Sequence, residues 1–83
     1  MMRGMKYPDG SEVRLGDRVE LWPGNPGTVV FSIDTDEYSD AYPKAQWDYL
    51  GSGVMVLSER AGLIHYEEPE PSMRLLARGT ADK

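Results

Sequence analysis

Ser11-Glu12-Val13-Arg14-Leu15-Gly16-Asp17-Arg18-Val19-Glu20-Leu21-Trp22 is the stretch that decides the fold class. Val13, Leu15, Val19 and Leu21 share one parity, and mostly charged residues stand between them. Apolar residues at every second position line one side of an extended chain, so this period predicts a half-buried β-strand and not a helix. By the same parity Trp22 points away from the Val19–Leu21 face. Gly16-Asp17 interrupts the run and predicts a bend or bulge within it.

The flanking segments repeat the pattern. Tyr7-Pro8-Asp9-Gly10 is a turn, because proline presets φ and glycine accepts positive φ. Pro23-Gly24-Asn25-Pro26-Gly27 predicts a second reversal. Thr28 to Ile33 is rich in β-branched residues and predicts a second strand, with Val29, Phe31 and Ile33 on one face. Gly53–Ser58 is a short apolar run expected to be a buried strand. Glu59-Arg60-Ala61-Gly62 is a turn, and Leu63–Tyr66 is a further strand. The prolines of Glu67-Glu68-Pro69-Glu70-Pro71 break regular structure before a last strand within Met73–Arg78. Residues 34–42 lack apolar periodicity and predict a loop. Pro43 then suits the first turn of a short helix over Lys44–Leu50, ended by Gly51, with Trp47 and Leu50 on one face.

About five short strands and one short helix, spread over 83 residues, predict one small all-β domain. Closing such a sheet into a barrel hides its edges. Val19, Leu21, Val29, Phe31, Val54, Val56 and Leu75 are the expected core. Residues 79–83 are expected to form a flexible tail.

Leu15-Gly16-Asp17-Arg18-Val19-Glu20-Leu21, followed by Gly24 and by Gly27-Thr28-Val29-Val30, resembles the opening of a KOW-type SH3-like barrel. The resemblance covers roughly residues 13–33 and implies an SH3-like barrel of about five strands. KOW-type domains set this motif among basic residues and bind RNA. Here the segment that follows is acidic. In size, acidity and lack of a catalytic constellation the chain is also similar to small acidic bacterial immunity proteins, which neutralise toxins by binding them.

Charge sharpens the functional reading. The net charge is −5. Residues 31–50 hold most of it, because Asp34, Asp36, Glu37, Asp40 and Asp48 stand there against Lys44 alone. Phosphate neutralisation supplies most of the affinity of nucleic-acid binders, and no basic stripe is visible. There are no cysteines, which removes disulfides, thiolate metal sites and a cysteine nucleophile together. No apolar run approaches the roughly 18–20 residues of a membrane span. Met1 to Pro8 lacks the apolar segment of a signal peptide, so a cytoplasmic protein is expected.

Candidate chemistry is sparse. His65, the one histidine, lies in a strand-like run without an assignable catalytic partner. Asp34, Asp36, Glu37 and Asp40 lack the glycine and the spacing of a calcium loop. Gly24-Asn25-Pro26-Gly27 lacks the ending of a phosphate loop. The sequence therefore predicts no catalytic residue, metal or cofactor. It does place Trp22, Tyr38, Tyr42, Trp47 and Tyr49 around or within the acidic segment, and aromatic anchors beside charged rims are typical of protein interfaces. The expected function is a non-enzymatic protein-binding module, of immunity or adaptor type. Its surface is Asp34, Asp36, Glu37, Tyr38, Asp40, Tyr42, Trp47 and Trp22, and its partner a basic protein, either a toxin or a cellular machine. The alternative is a KOW-like nucleic-acid, ribosome or transcription accessory domain that gathers Arg14, Arg18, Arg74 and Arg78. A loop that merely solvates its charges is the plain competing account of the acidic segment.

Overall fold

Alternating segments become five strands of one antiparallel sheet: β1 (Arg18–Trp22), β2 (Asn25–Ser32), β3 (Val54–Ser58), β4 (Gly62–Tyr66) and β5 (Arg74–Ala77). The computed structural model describes residues 5–68 and 70–78, so the expected tail at 79–83 lies outside the described residues. The strand order is β4-β3-β2-β1-β5. The first four strands form a meander, and β5 returns beside β1. Between β2 and β3 stands a short helix, α1 (Lys44–Trp47), continued by a 3₁₀ turn at Asp48–Leu50. The all-β class, the strand count and the short helix are as the sequence predicts.

The sheet curls around its core. Ile64 and Tyr66 of β4 and Leu75 of β5 come from opposite edges, yet they pack on the same buried cluster. That cluster holds Val19, Leu21, Val29, Val54 and Val56, all expected from parity, together with Met5, Tyr7, Val13 and Met73. The last four arrive by irregular chain, so the strand expected over residues 11–22 is regular only from Arg18 onward. Residues 5–13 fold back on themselves through Tyr7 N–H to Ser11 O at 2.8 Å and Val13 N–H to Met5 O at 2.8 Å, which brings Met5, Tyr7 and Val13 onto the core.

Three expectations need correction. The reversal after β1 uses only Pro23-Gly24, and Asn25, Pro26 and Gly27 already belong to β2. Asn25 is buried and accepts a bond from Ser58 Oγ at 2.7 Å, which ties it to β3. Gly27 serves close approach instead of turning, since a Cβ there would lie 2.9 Å from both Leu57 O and Val56 Cγ1. Phe31 is fully buried but not on the Val29 face. The register against β3 slips between Val29, opposite Val56, and Phe31, opposite Met55. One extra residue reverses the parity, so Phe31 joins Met55 on the outer face of the sheet. Leu75 is half-buried and packs at the margin of the core, as suits a residue on the edge strand β5.

Asp17, the residue of the predicted bend, is fully buried. Its Oδ2 accepts bonds from Tyr7 Oη at 2.6 Å, from Arg14 N–H at 2.9 Å and from Arg78 Nη1 at 2.9 Å. One carboxylate thus joins the N-terminal hairpin, the entry to β1 and the residue after β5. Paired in this way, a buried charge is tolerated.

Candidate functional site

Residues 33–53 leave the sheet at the end of β2 and return to it at β3. Hydrogen bonds close the neck of this insertion. Ser32 and Glu37 exchange backbone bonds of 2.8 and 2.9 Å, Ile33 N–H donates to Gly53 O at 2.9 Å, and Gly53 N–H donates to Asp34 Oδ1 at 2.9 Å. Gly53 has φ +95°, and a side chain there would strike the backbone of Tyr66 and Glu67.

Inside the insertion the aromatic rings turn towards the sheet. Phe31 stacks on Tyr38 with centroids 5.6 Å apart and an interplanar angle of 19°. Tyr42 and Trp47 tilt against the same ring at 6.1 and 5.5 Å, and against each other at 6.1 Å. Such pairs contribute about 0.5–1.5 kcal/mol each beyond simple burial. The rings expected to meet a partner therefore fasten the insertion onto the outer face. Burial, then the nearby Asp36 and Asp48 carboxylates, push the Tyr38 hydroxyl above the usual phenol range. The Trp47 indole N–H is buried with no acceptor among the described residues.

The acidic residues divide into two sets. Asp34 holds Gly53, and Asp36, in the left-handed region at φ 57°, pairs with Lys44 Nζ at 2.9 Å. That bond raises the Lys44 pKa. Glu37 accepts two guanidinium bonds from Arg14, at 3.0 and 2.8 Å, as well as bonds from Leu15 N–H and Thr35 Oγ1. Arg14 is the main reason that its pKa is held down at about 2. Asp40 and Asp48 are exposed and enter no ion pair among the described residues. Beside Asp48, Tyr49 is 75 % exposed. It sits two residues beyond Trp47 on the 3₁₀ turn, so it points outward as Trp47 points inward.

Elsewhere on the surface Trp22 is 44 % exposed at the turn between β1 and β2, where the pairing with β2 slips register between Glu20 and Trp22 and strict alternation no longer fixes its face. Leu57 and Leu63 face each other across β3 and β4 on the outer face and are both exposed. Only the alternation of Met55 and Leu57 in β3 hints at this pair in the sequence. The four arginines of the nucleic-acid alternative are each bound to a carboxylate: Arg14 to Glu37, Arg18 to Glu59 at 3.3 Å, Arg74 to Glu20 at 2.8 Å and Arg78 to Asp17. His65 bonds through Nε2 to the Ser52 carbonyl at 2.8 Å. A cleft lined by Lys6, Tyr7, Pro8, Glu70 and Pro71 includes none of the predicted site residues. Among the described residues no three His, Cys, Asp or Glu side chains converge as metal ligands do, and no helix is long and apolar enough to cross a membrane.

No family model, curated protein or solved structure matches this chain.

Proposed function

We propose that this chain is a cytoplasmic, non-enzymatic protein-binding module, of immunity or adaptor type, that captures a basic protein partner through the outward side of its acidic insertion. The observation that carries this reading is the sorting of side chains in that insertion. Tyr38, Tyr42 and Trp47 are spent on Phe31, while Asp40, Asp48 and Tyr49 are exposed and the two carboxylates enter no ion pair among the described residues. An exposed tyrosine next to an unpaired carboxylate, on an insertion that carries a second one, is the composition of an interface anchor with a charged rim. Rim charges raise the association rate and select the sign of the partner.

The KOW-like alternative draws no support from the arginines. Each is committed to a carboxylate, and recruiting one to a phosphate requires breaking that pair.

Affinity capture with the parent chain, followed by a triple variant Asp40→Asn, Asp48→Asn and Tyr49→Ala, tests the proposal. The expected result is one basic protein, released by salt and lost from the triple variant, with Trp22→Ala capturing it as before. Equal capture by the triple variant refutes the proposed surface. Recovery of RNA in its place establishes the nucleic-acid alternative.

A further inference from the structure

The sheet has two edges, β5 and β4; each bears an exposed leucine, Leu76 and Leu63, but they differ in charge and in regularity. On β5, Arg74 is charged and exposed, and the pairing with β1 slips register between Arg18 and Val19. Charges and bulges of this kind hinder the addition of another strand. β4 reads Gly62-Leu63-Ile64-His65-Tyr66, with neither lysine nor proline. Its register against β3 is unbroken from Val54↔Tyr66 to Ser58↔Gly62. No strand covers its far side among the described residues. Leu63, on this edge, is 43 % exposed.

We propose that β4 pairs with β4 of a second copy of this chain, antiparallel, about a two-fold axis at Ile64. Charge selects this occupant. A two-fold pairing lays the turn end of one β4 beside the far end of the other. The turn end carries Glu59, which is already paired with Arg18 at 3.3 Å, and Arg60, whose Nε–H bonds to Gly24 O at 2.8 Å and whose guanidinium has no carboxylate partner among the described residues. The far end carries Glu67 and Glu68, both exposed and free of ion pairs within the described chain. The two ends are therefore complementary twice over, once at each end of the pairing.

Face continuity fixes the register. Leu63 and His65 lie on the outer face, and Ile64 lies on the core side. An axis at Ile64 sets Leu63 opposite His65 of the second copy, with every strand side chain kept on its own face, and brings the turn that holds Arg60 beside the Glu67-Glu68 end of the second copy. The exposed Leu57–Leu63 pair of each copy then continues across the seam. A five-residue edge is small against the area of a standard interface, so the dimer is weak and reversible.

Sedimentation equilibrium of the full chain, from about 10 μM to about 1 mM at low salt, is the test. A reversible monomer–dimer equilibrium is expected, weakened by added salt. Arg60→Glu and Glu68→Arg each oppose like charges and are expected to remain monomeric, with unchanged far-UV circular dichroism. Mixed in equal amounts they restore both ion pairs, and the heterodimer is expected to be at least about tenfold tighter than either variant alone. Leu63→Lys, which adds a guard charge to an exposed position, is expected to abolish association. A parent chain that stays monomeric throughout overturns the proposal. So does association unaffected by the single reversals, or a mixture that binds no better than its components.

Discussion

Glu37 and Arg14, distant in sequence, meet in a two-pronged bond: Arg14 Nε–H donates to Oε1 at 3.0 Å, and Nη2–H donates to Oε2 at 2.8 Å. Leu15 N–H and Thr35 Oγ1 also donate to Oε1. One carboxylate thereby fastens the start of the insertion to the chain that enters β1. Bidentate pairs of this kind are the strong end of surface ion pairing, although water screens the exposed Arg14.

Acid should undo this clamp. The Glu37 pKa stands at about 2 against an ordinary 4.5. A lowered carboxyl pKa stabilises the fold above the ordinary value, and that contribution fades as pH falls from about 5 towards 2. Glu37→Gln is therefore expected to cost about 1–2 kcal/mol at pH 7. The gap from the parent should close progressively below pH 5. Urea denaturation of both proteins at several pH values measures it, and a gap that persists unchanged at pH 2.5 contradicts the assignment.

Phe31 joins the sheet to the insertion. Phe31→Ala is expected to cost about 3–5 kcal/mol, the range for removing a fully buried aromatic ring. It should also release Trp47, seen as a red shift of its emission in a Trp22→Phe background. Trp47→Phe tests a second point. It keeps a ring against Phe31 and deletes an N–H that is buried without an acceptor among the described residues, so stability is expected to be unchanged or slightly higher. Trp47→Ala should lower it by about 2–4 kcal/mol.

These rings mark where the sequence was legible and where it was not. Val19, Leu21, Val29, Val54 and Val56 obey strict alternation, and each is buried on the expected face. Lys44–Leu50 starts after proline and stops at glycine, and it is helical over that span. Phe31 shares the parity of Val29, and only a bulge set by the pairing with β3 moves it to the other face. That information lies in tertiary packing, not in a local period. The same holds for Tyr38, Tyr42 and Trp47, whose inward turn depends on Phe31 being there to receive them. Asp34, Asp36 and Glu37 look like a solvated rim in sequence because their partners, Gly53, Lys44 and Arg14, cannot be assigned without the fold.

Two glycines with similar φ should respond very differently to alanine. Gly24 has φ +85° with open space around it, so Gly24→Ala is expected to cost only the strain of a left-handed residue, about 1–2 kcal/mol. Gly53 has φ +95°, and its added methyl would collide with Tyr66 O and press on Glu67 Cα at 3.0 Å. These are backbone atoms of β4 and its exit, and they cannot swing aside. Gly53→Ala is expected to cost about 3 kcal/mol or more and to loosen the insertion. Denaturant midpoints rank the pair, and equal losses would show that the neck tolerates movement.

Tyr7 makes a prediction at the alkaline end. Its ring is buried and its hydroxyl donates to Asp17 Oδ2 at 2.6 Å. Burial first, and then the bond to the Asp17 carboxylate, raise its pKa far above the phenol value of 10.0. The folded chain therefore keeps this proton while the unfolded chain releases it near pH 10. The bond stabilises the fold fully below pH 10, and each further pH unit removes up to about 1.4 kcal/mol as the unfolded state ionises. Tyr7→Phe has no proton to lose. At pH 8 it should be less stable than the parent by about 1–2 kcal/mol, because Asp17 keeps its burial and loses a donor. Between pH 10 and about 11.5 the parent should fall more steeply than the variant, and the two stabilities should converge. Tyr38 and Tyr66, which burial also raises, are common to both proteins and cancel in the difference. Urea denaturation at half-unit steps from pH 8 to pH 11.5 gives the two curves. If they run parallel to the end, the Tyr7 hydroxyl ionises in the folded state and its bond to Asp17 is not the one described.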